Sequence, residues 1–540
     1  MPGFDLPATG SGATPQFTDA AGCSKWLQTL PLINVGTSHG QLLAQLEALN
    51  GHAMPHAERF KVLELLREPV MFVQKEQSKK FANRPAPLSR PERETYADAN
   101  AMWDALSLGY QRCLQAADEG AKDLASLLAQ MCQRVLWCTG QKMVDCYQAY
   151  QDVDGHDWKL LHGVYEIAEK RGVASDAVAH PAYKNRETTC IETYTQVLLL
   201  NLASPGKLTP RQIELISRWL ERWARKVSIS PAPTAVEEGG APLIVDLAGD
   251  AGAARAAPAA AGQGVRYLEV GEVGKSVRKR VSLLRKGETP AALGLGEDIT
   301  AALAEGLLVM LYRRWCEDKQ SRAHPRRSAS GTARICSGMP AMHYFVTGKA
   351  FRGQGGSGGV RELSKRQHEE IATFGRVATR HQEESAPEPN FPLETWQIKD
   401  ESVSGLQLER IDPAATSRLL LTQLLGIRPA DAKGFFLCTV RWLSVSADFE
   451  LRAGVYVLPG VPLGIAIRAA GGGAAGEEYT PALALPAVAA LKSPDTLVLP
   501  PGWFKPKRAI EVLGEGARKV TLTALVDRGA DFERVTFESA

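Results

Sequence analysis

The stretch WQIKDESVSGLQLERI, Trp396–Ile411, holds two runs of alternating apolar and polar residues separated by Asp400–Gly405, DESVSG. Such alternation reads as a half-buried strand, and two strands so close in sequence read as an antiparallel hairpin. Asp and Ser at a strand end make a tight turn, and Gly405 is expected to supply a positive φ there at no steric cost. The stretch therefore sets the C-terminal half of the chain as β.

Short β-branched or aromatic runs lie on either side of it. TARICSG and MHYFVTG precede it; GFFLCTVRWLSVSA, ELRAGVYVLPG and PLGIAIRAA follow. With turn residues between them, they predict a small antiparallel barrel over 319–470. A helical insert, about 352–388, is read from RELSKRQHEEIATFGRVATRHQEE after the glycine-rich RGQGGSGG. TLVLPPGWF, KRAIEVL, KVTLTALVDRG and FERVTFE make 471–540 a β-rich extension or a second barrel.

The N-terminal part differs. In AERFKVLELLREPVMFVQ and LASLLAQMCQRVLWCTGQKMVDCYQAY, apolar residues recur every three or four positions, which marks amphipathic helices. TPRQIELISRWLERWARKV has Thr209 as an N-cap and Pro210 at the first helical position. Residues 1–228 thus read as an all-α domain of eight or nine helices. No period near 34 residues recurs, so a repeat array is not expected. The Ala, Pro and Gly content of 229–264 reads as a linker with one short strand at PLIVDLA. EVGKSVRKRVSLLRKG and DITAALAEGLLVMLYRRWCEDK form a small helical unit over 265–318. The fold class expected is multidomain α + β: helical domain, linker, small barrel with insert, β tail.

Composition narrows the function. The 540 residues carry a net charge of +3, which argues against general attraction to a nucleic acid polymer. Nine cysteines without a C-x-x-C pair read as small buried hydrophobes of a reducing cytosol. No secretion signal is read in MPGFDLPATGSGATPQF. GVYVLPGVPLGIAIRAAGG is broken by Pro459, Pro462 and Arg468 and does not read as a membrane span. GQGGSG (Gly353–Gly358) lacks the βαβ context of a dinucleotide loop and reads as a hinge. HEEIA (His368–Ala372) lacks the second histidine of a zincin, and HAMPH (His52, His56) reads as a helix boundary with a capping role. No nucleophile elbow or Walker lysine is found, so an enzyme is the least supported class, and no metal or cofactor is expected.

Charge is concentrated in one place. From Arg313 to Arg334 seven Lys or Arg face Glu317 and Asp318. Within SRAHPRR (Ser321–Arg327), Pro325 excludes a helix interior, so Arg322 and Arg326 sit on a loop. Guanidinium forks bond bidentately to phosphates or to guanine O6 and N7, which lysine cannot match.

The pair R-x-x-x-R (Arg322, Arg326) followed by D-x-S-x-x-G (Asp400, Ser402, Gly405) in a small β domain resembles the PilZ family of cyclic di-GMP receptors over roughly 319–470. CTVRWL (Cys438–Leu443) and LRAGVYV (Leu451–Val457) look like that family's later strands. The resemblance implies that those five residues bind cyclic di-GMP, Asp400 accepting from guanine N1–H and N2–H₂. Arg327 and Arg334 are possible additional phosphate contacts. The match departs from the family in two respects: Arg326 and Asp400 lie 74 positions apart rather than a few tens, and Pro325 stands inside the motif. The reading is a cytoplasmic effector that couples nucleotide binding to an unknown protein partner of the helical domain. The alternatives are an interaction scaffold whose barrel no longer binds nucleotide, and a nucleic-acid binder using the basic stretch.

Overall fold

The computed structural model describes the chain apart from residues 1–5, 11–12, 184, 234–240, 256–261, 263, 318–326, 352–389, 413–414, 471–477, 515 and 540. The expected helical insert, GQGGSG and HEEIA lie outside the described residues. Two compact units are present: Met1–Ala323 with Ser444–Phe449, and His324–Leu443 with Glu450–Ala540.

The first unit begins with eight α-helices: α1 (Ala20–Leu27), α2 (Val35–Gly51), α3 (His56–Ser78), α4 (Arg90–Asp118), α5 (Leu128–Gln148), α6 (Gly155–Lys170), α7 (Cys190–Leu202) and α8 (Pro210–Trp223). A two-residue pair of strands, β1 (Val178–Ala179) and β2 (Glu187–Thr188), interrupts them. Local chemistry sets the helix ends. Thr209 caps α8 in a reciprocal box with Gln212, and Pro210 opens the helix. His52 takes the C-cap position of α2 and Pro55 the N-cap position of α3, the boundary expected of HAMPH. Of the nine cysteines eight are buried and Cys316 is half-buried; burial pushes the thiols of Cys23, Cys113 and Cys336 up to about 12.

Two sequence boundaries need correction here. The segment read as a linker contributes a four-stranded antiparallel sheet. Its strands are β3 (Ser228–Ser230), β4 (Leu243–Asp246), β5 (Ala254–Arg255) and β6 (Val265–Glu269), in the order β3-β6-β4-β5. Leu243, Val245 and Leu268 bury one face of it in the helical core, which the Ala- and Gly-rich flanks concealed. Nor do α9 (Gly271–Arg285) and α10 (Ala301–Trp315) form a separate small unit. Trp315 is fully buried and its indole N–H donates to Leu199 O at 3.0 Å, fixing α10 to α7. Trp219 likewise donates to Leu295 O at 2.8 Å.

The second unit holds two six-stranded rings. The first belongs to a seven-stranded sheet: β7 (Arg327–Ser328), β8 (Thr332–Ser337), β9 (Glu394–Ser402), β10 (Gly405–Arg410), β11 (Leu424–Pro429), β12 (Phe436–Val445) and β13 (Leu451–Val457) run in the order β10-β13-β12-β11-β8-β9-β7, with β8–β13 in the ring and β7 paired to β9 beside β8. A further β10–β9 pairing closes the ring. Trp396, Leu408, Leu425, Ile427, Val440 and Ala453 are fully buried along these strands. The second is a closed barrel, β14-β15-β16-β19-β18-β17, made of β14 (Leu463–Ala469), β15 (Thr480–Leu485), β16 (Thr496–Leu499), β17 (Ala509–Leu513), β18 (Ala517–Arg528) and β19 (Glu533–Ser539). The boundary expected at 470/471 therefore moves: PLGIAIRAA opens the second barrel rather than ending the first.

The run MHYFVTG, expected as a strand, is helical instead: α11 spans Met339–Thr347. Gly338 enters with φ 86°, Pro340 sits in the first turn, and Gly348 ends the helix in the left-handed region. Met339, Ala341, Met342 and His343 are buried, with Met339, Ala341 and Met342 in one cluster with Leu424, Leu437, Leu483 and Val498 of both barrels. Glycines make room on each side. A Cβ on Gly426 of β11 would stand 2.8 Å from Cys336 Sγ and 3.1 Å from Met342 Cγ, and one on Gly464 of β14 would meet Thr347.

One buried acid gives the helical unit a measurable pH response. Asp145 on α5 accepts from the Trp103 indole N–H at 2.9 Å. Burial pushes its carboxyl up to about 7, which the tryptophan bond offsets only in part. An unfolded chain loses that proton near pH 4, so between about pH 4 and 7 the folded state binds more protons and stability falls as pH rises. Asp145→Asn keeps an oxygen for Trp103 and is expected to flatten that slope, with a gain on the order of a few kcal/mol at about pH 8 over wild type. Urea unfolding of both chains across this pH range measures it; equal slopes would place Asp145 in contact with water.

Candidate functional site

The geometry around Asp400 follows from how the first ring closes. β7 and β8 lie end to end along one edge of β9, and β10 lies along the other. In register, Arg327 is opposite Glu401 and Ser328 opposite Asp400. Lower on the same edge, Thr332 is opposite Gln397 and Ala333 opposite Trp396. Ala329 N donates to Lys399 O at 3.2 Å and Ile398 N to Gly331 O at 2.8 Å, which joins the two sections.

On its other edge β9 carries a bulge. Gln407 is opposite Asp400 but Leu408 is opposite Ile398, so Lys399 is the extra residue. A bulge re-aims the side chains beyond it. Below Lys399, Trp396 and Ile398 are buried in the ring. Beyond it, Asp400 and Ser402 share a face with Gln407 and Gly405, whereas Leu408 in β10 is on the inner face. Both are half-buried, while Lys399 and Glu401 are exposed. Lys399 Nζ pairs with Glu409 at 2.6 Å across the same hairpin.

The turn is held from two sides. Ser402 Oγ donates to Gly405 O at 3.2 Å, and Val457 N donates to Ser404 O at 2.9 Å. Gly405 differs from its expected role, because its φ is not in the positive range. The reason for glycine is distance: a Cβ there would lie 2.6 Å from Val455 O on β13. Side-chain-free packing, not turn conformation, fixes this residue.

Of the residues singled out in the sequence, the structure gathers Asp400, Ser402 and Gly405 on one hairpin and sets Arg327 directly across from it. Arg322 and Arg326 lie outside the described residues. Arg327, next in sequence to Arg326, is exposed. Arg334 is not brought to this end: it is opposite Thr395, five positions along β9 from Asp400, or roughly 16 Å at the usual strand rise.

The sequence reading missed neighbours on β12 and β13. Tyr456 is opposite Gly405, and Gly454 is opposite Gln407. The Trp442 indole covers Gly454 so closely that a Cβ would overlap it. The Arg441 guanidinium lies 5.2 Å over the Tyr456 ring and 3.6 Å from Asp527. Hydroxyl and acid are thus flanked by an aromatic and cationic shelf. No sequence spacing announces it, because the register between β10 and β13 creates the adjacency. Among the described residues no cluster of His, Cys, Asp and Glu could hold a metal.

Gly405→Ala is expected to push β13 from β10 and to cost about 1–3 kcal/mol, as overpacking does. Val403→Ala, at the exposed turn, should stay within about 0.5 kcal/mol. Tryptophan fluorescence during urea unfolding compares them; equal midpoints would mean that the strands do not approach so closely.

Comparison with known proteins places both ends of the chain. Residues 21–234 match the family described as "Cyclic-di-GMP receptor FimW, N-terminal domain", and residues 465–540 match the "FimW C-terminal beta-barrel domain". Together they take in more than half of the chain. The second range coincides with β14–β19, and the first ring falls between the two. A relative, "Cyclic-di-GMP receptor FimW" of Pseudomonas aeruginosa, is 23% identical over 558 aligned positions, covering 95% of this chain and 90% of that protein. Matched at both ends by the two domains of one family, and along nearly its whole length by a relative, the chain belongs to the FimW family.

Proposed function

We propose that this chain is a cyclic di-GMP receptor whose first ring is a PilZ-like barrel and whose ligand is held by Arg322, Arg326, Asp400, Ser402 and Gly405. The observation that carries this is the pairing of Ser328 with Asp400 and Arg327 with Glu401. It joins the segment that ends the arginine motif to the strand that carries the acidic one. The FimW relative, named a cyclic-di-GMP receptor, supports the same ligand. The chemistry is complementary. Two guanidinium forks meet phosphates or the O6 and N7 of guanine, and a carboxylate accepts from N1–H and N2–H₂, which favours guanine over adenine. Tyr456 and Trp442 offer an apolar surface beside it.

The receptor acts by binding, not by turnover, in the cytosol. No described helix is long and apolar enough to cross a membrane. Residues 316–326 are the covalent link between α10 and β7, and they contain both arginines of the motif. Ligand that prefers one arrangement of this link shifts the population of states open to α10, and so relays occupancy to the helical unit and its protein partner.

Calorimetric titration of the full chain with cyclic di-GMP tests this. Arg322→Ala, Arg326→Ala and Asp400→Ala should each cost at least ~2 kcal/mol, roughly thirty-fold in affinity. Unchanged affinity in all three would reject the assignment, and no heat with wild type would leave the barrel as a scaffold only.

A further inference from the structure

A second charged feature lies in the helical unit and is not part of the nucleotide site. α9 carries Lys275, Arg278, Lys279, Arg280 and Arg285 against a single acid, Glu272. It packs antiparallel on α10: Gly274 lies against Cys316, Arg278 over Tyr312, and Arg285 pairs with Glu305 at 2.7 Å. Between the two helices runs an open groove of about 490 Å³. Val281, Val309 and Tyr312, all half-buried, form its floor. Arg278, Lys286 and Arg313, all exposed, form its rim, with Glu317 the one acid among the described residues that line it. No carboxylate among the described residues lies within ion-pair reach of those three cations.

We propose that this groove is the docking surface for an acidic amphipathic segment of a protein partner. Four observations choose that occupant. The rim cations spread from Arg278 to Lys286, about 12 Å at the helical rise, which suits a row of carboxylates better than one phosphate. An apolar floor beneath a cationic rim matches an amphipathic helix laid into a groove. A concave surface is a poor fit to a flat bilayer. The exposed face of Tyr312 is already taken by Arg278, at 5.4 Å, so it offers no platform for a nucleic-acid base. The surface supplies the partner contact that the proposed relay requires, and it rests on that reading only for its biological use. The surface lies on α9 and α10, outside residues 1–228.

The test uses the full-length protein and a fluorescein-labelled helical peptide with Leu at i, i+3, i+4 and i+7 spacing and Glu elsewhere. Fluorescence anisotropy should show binding that weakens with added salt. A peptide with Gln in place of Glu should bind at least tenfold more weakly, and so should the Glu peptide to Arg278→Glu/Arg313→Glu. Both positions are exposed, and unchanged circular dichroism shows that the fold is kept; Lys286→Glu is the second variant. No binding of the Glu peptide, or binding that charge reversal leaves unchanged, overturns the proposal. So does recruitment to phosphatidylglycerol vesicles lost on reversal without peptide binding, which would make the surface a lipid site. Titration with cyclic di-GMP on the same variants keeps the two readings apart: normal nucleotide affinity is expected in all of them.

Discussion

Two antiparallel residue pairs, Arg327 with Glu401 and Ser328 with Asp400, join β7 to β9 at the end of the first ring that carries Asp400 and Ser402. Backbone pairing across a strand edge is short-ranged and register-specific, and a slip of one residue would turn every side chain to the other face. It therefore converts a separation of 72 sequence positions, from Ser328 to Asp400, into a neighbourhood. β8 pairs with β9 although 57 positions separate Ser337 from Glu394 in the sequence. Loop-closure entropy grows slowly with length, so a long excursion costs the pairing little.

Close backbone approach is the second recurring device. Gly405 meets Val455 O, Gly454 lies under Trp442, and Gly426 and Gly464 flank α11. None of these four uses a left-handed conformation. Each marks a point where a side chain would hold two elements apart: strand from strand at the site, helix from strand between the two barrels. The helix α11 is thereby a packed spacer, with apolar side chains reaching both rings. In the helical unit Gly274 plays the same part, letting α9 settle on α10 beside Cys316.

Much of this was legible in the sequence, for physical reasons. The helices of residues 20–223 carry a 3.6-residue apolar period and strong caps such as Thr209–Gln212. The hairpin Glu394–Arg410 carries a two-residue period and a turn. Where local pattern and tertiary packing disagreed, the sequence misled. MHYFVTG is rich in aromatic and β-branched residues, yet Pro340 in the first turn and packing against Leu424, Leu437, Leu483 and Val498 of both barrels make it helical. β4 and β6 are short strands set in Ala- and Gly-rich text, and only their burial against the helical core stabilises them. β11 and β15 were overlooked because LLGIRP and TPALAL combine proline or glycine with few β-branched residues. At the site, residue types were readable but their partners were not: nothing in the spacing brings Tyr456 beside Gly405, and nothing separates Arg327 from Arg334 in usefulness until the register of β9 is known.

Hydrogen–deuterium exchange of the full chain with and without cyclic di-GMP reads that neighbourhood most directly. If the arginine segment and the acidic hairpin clasp one ligand, saturating nucleotide will slow exchange in peptides covering residues 318–328 and 399–405 together. Slowing in one of these segments alone, or in neither while the nucleotide is bound, would contradict it.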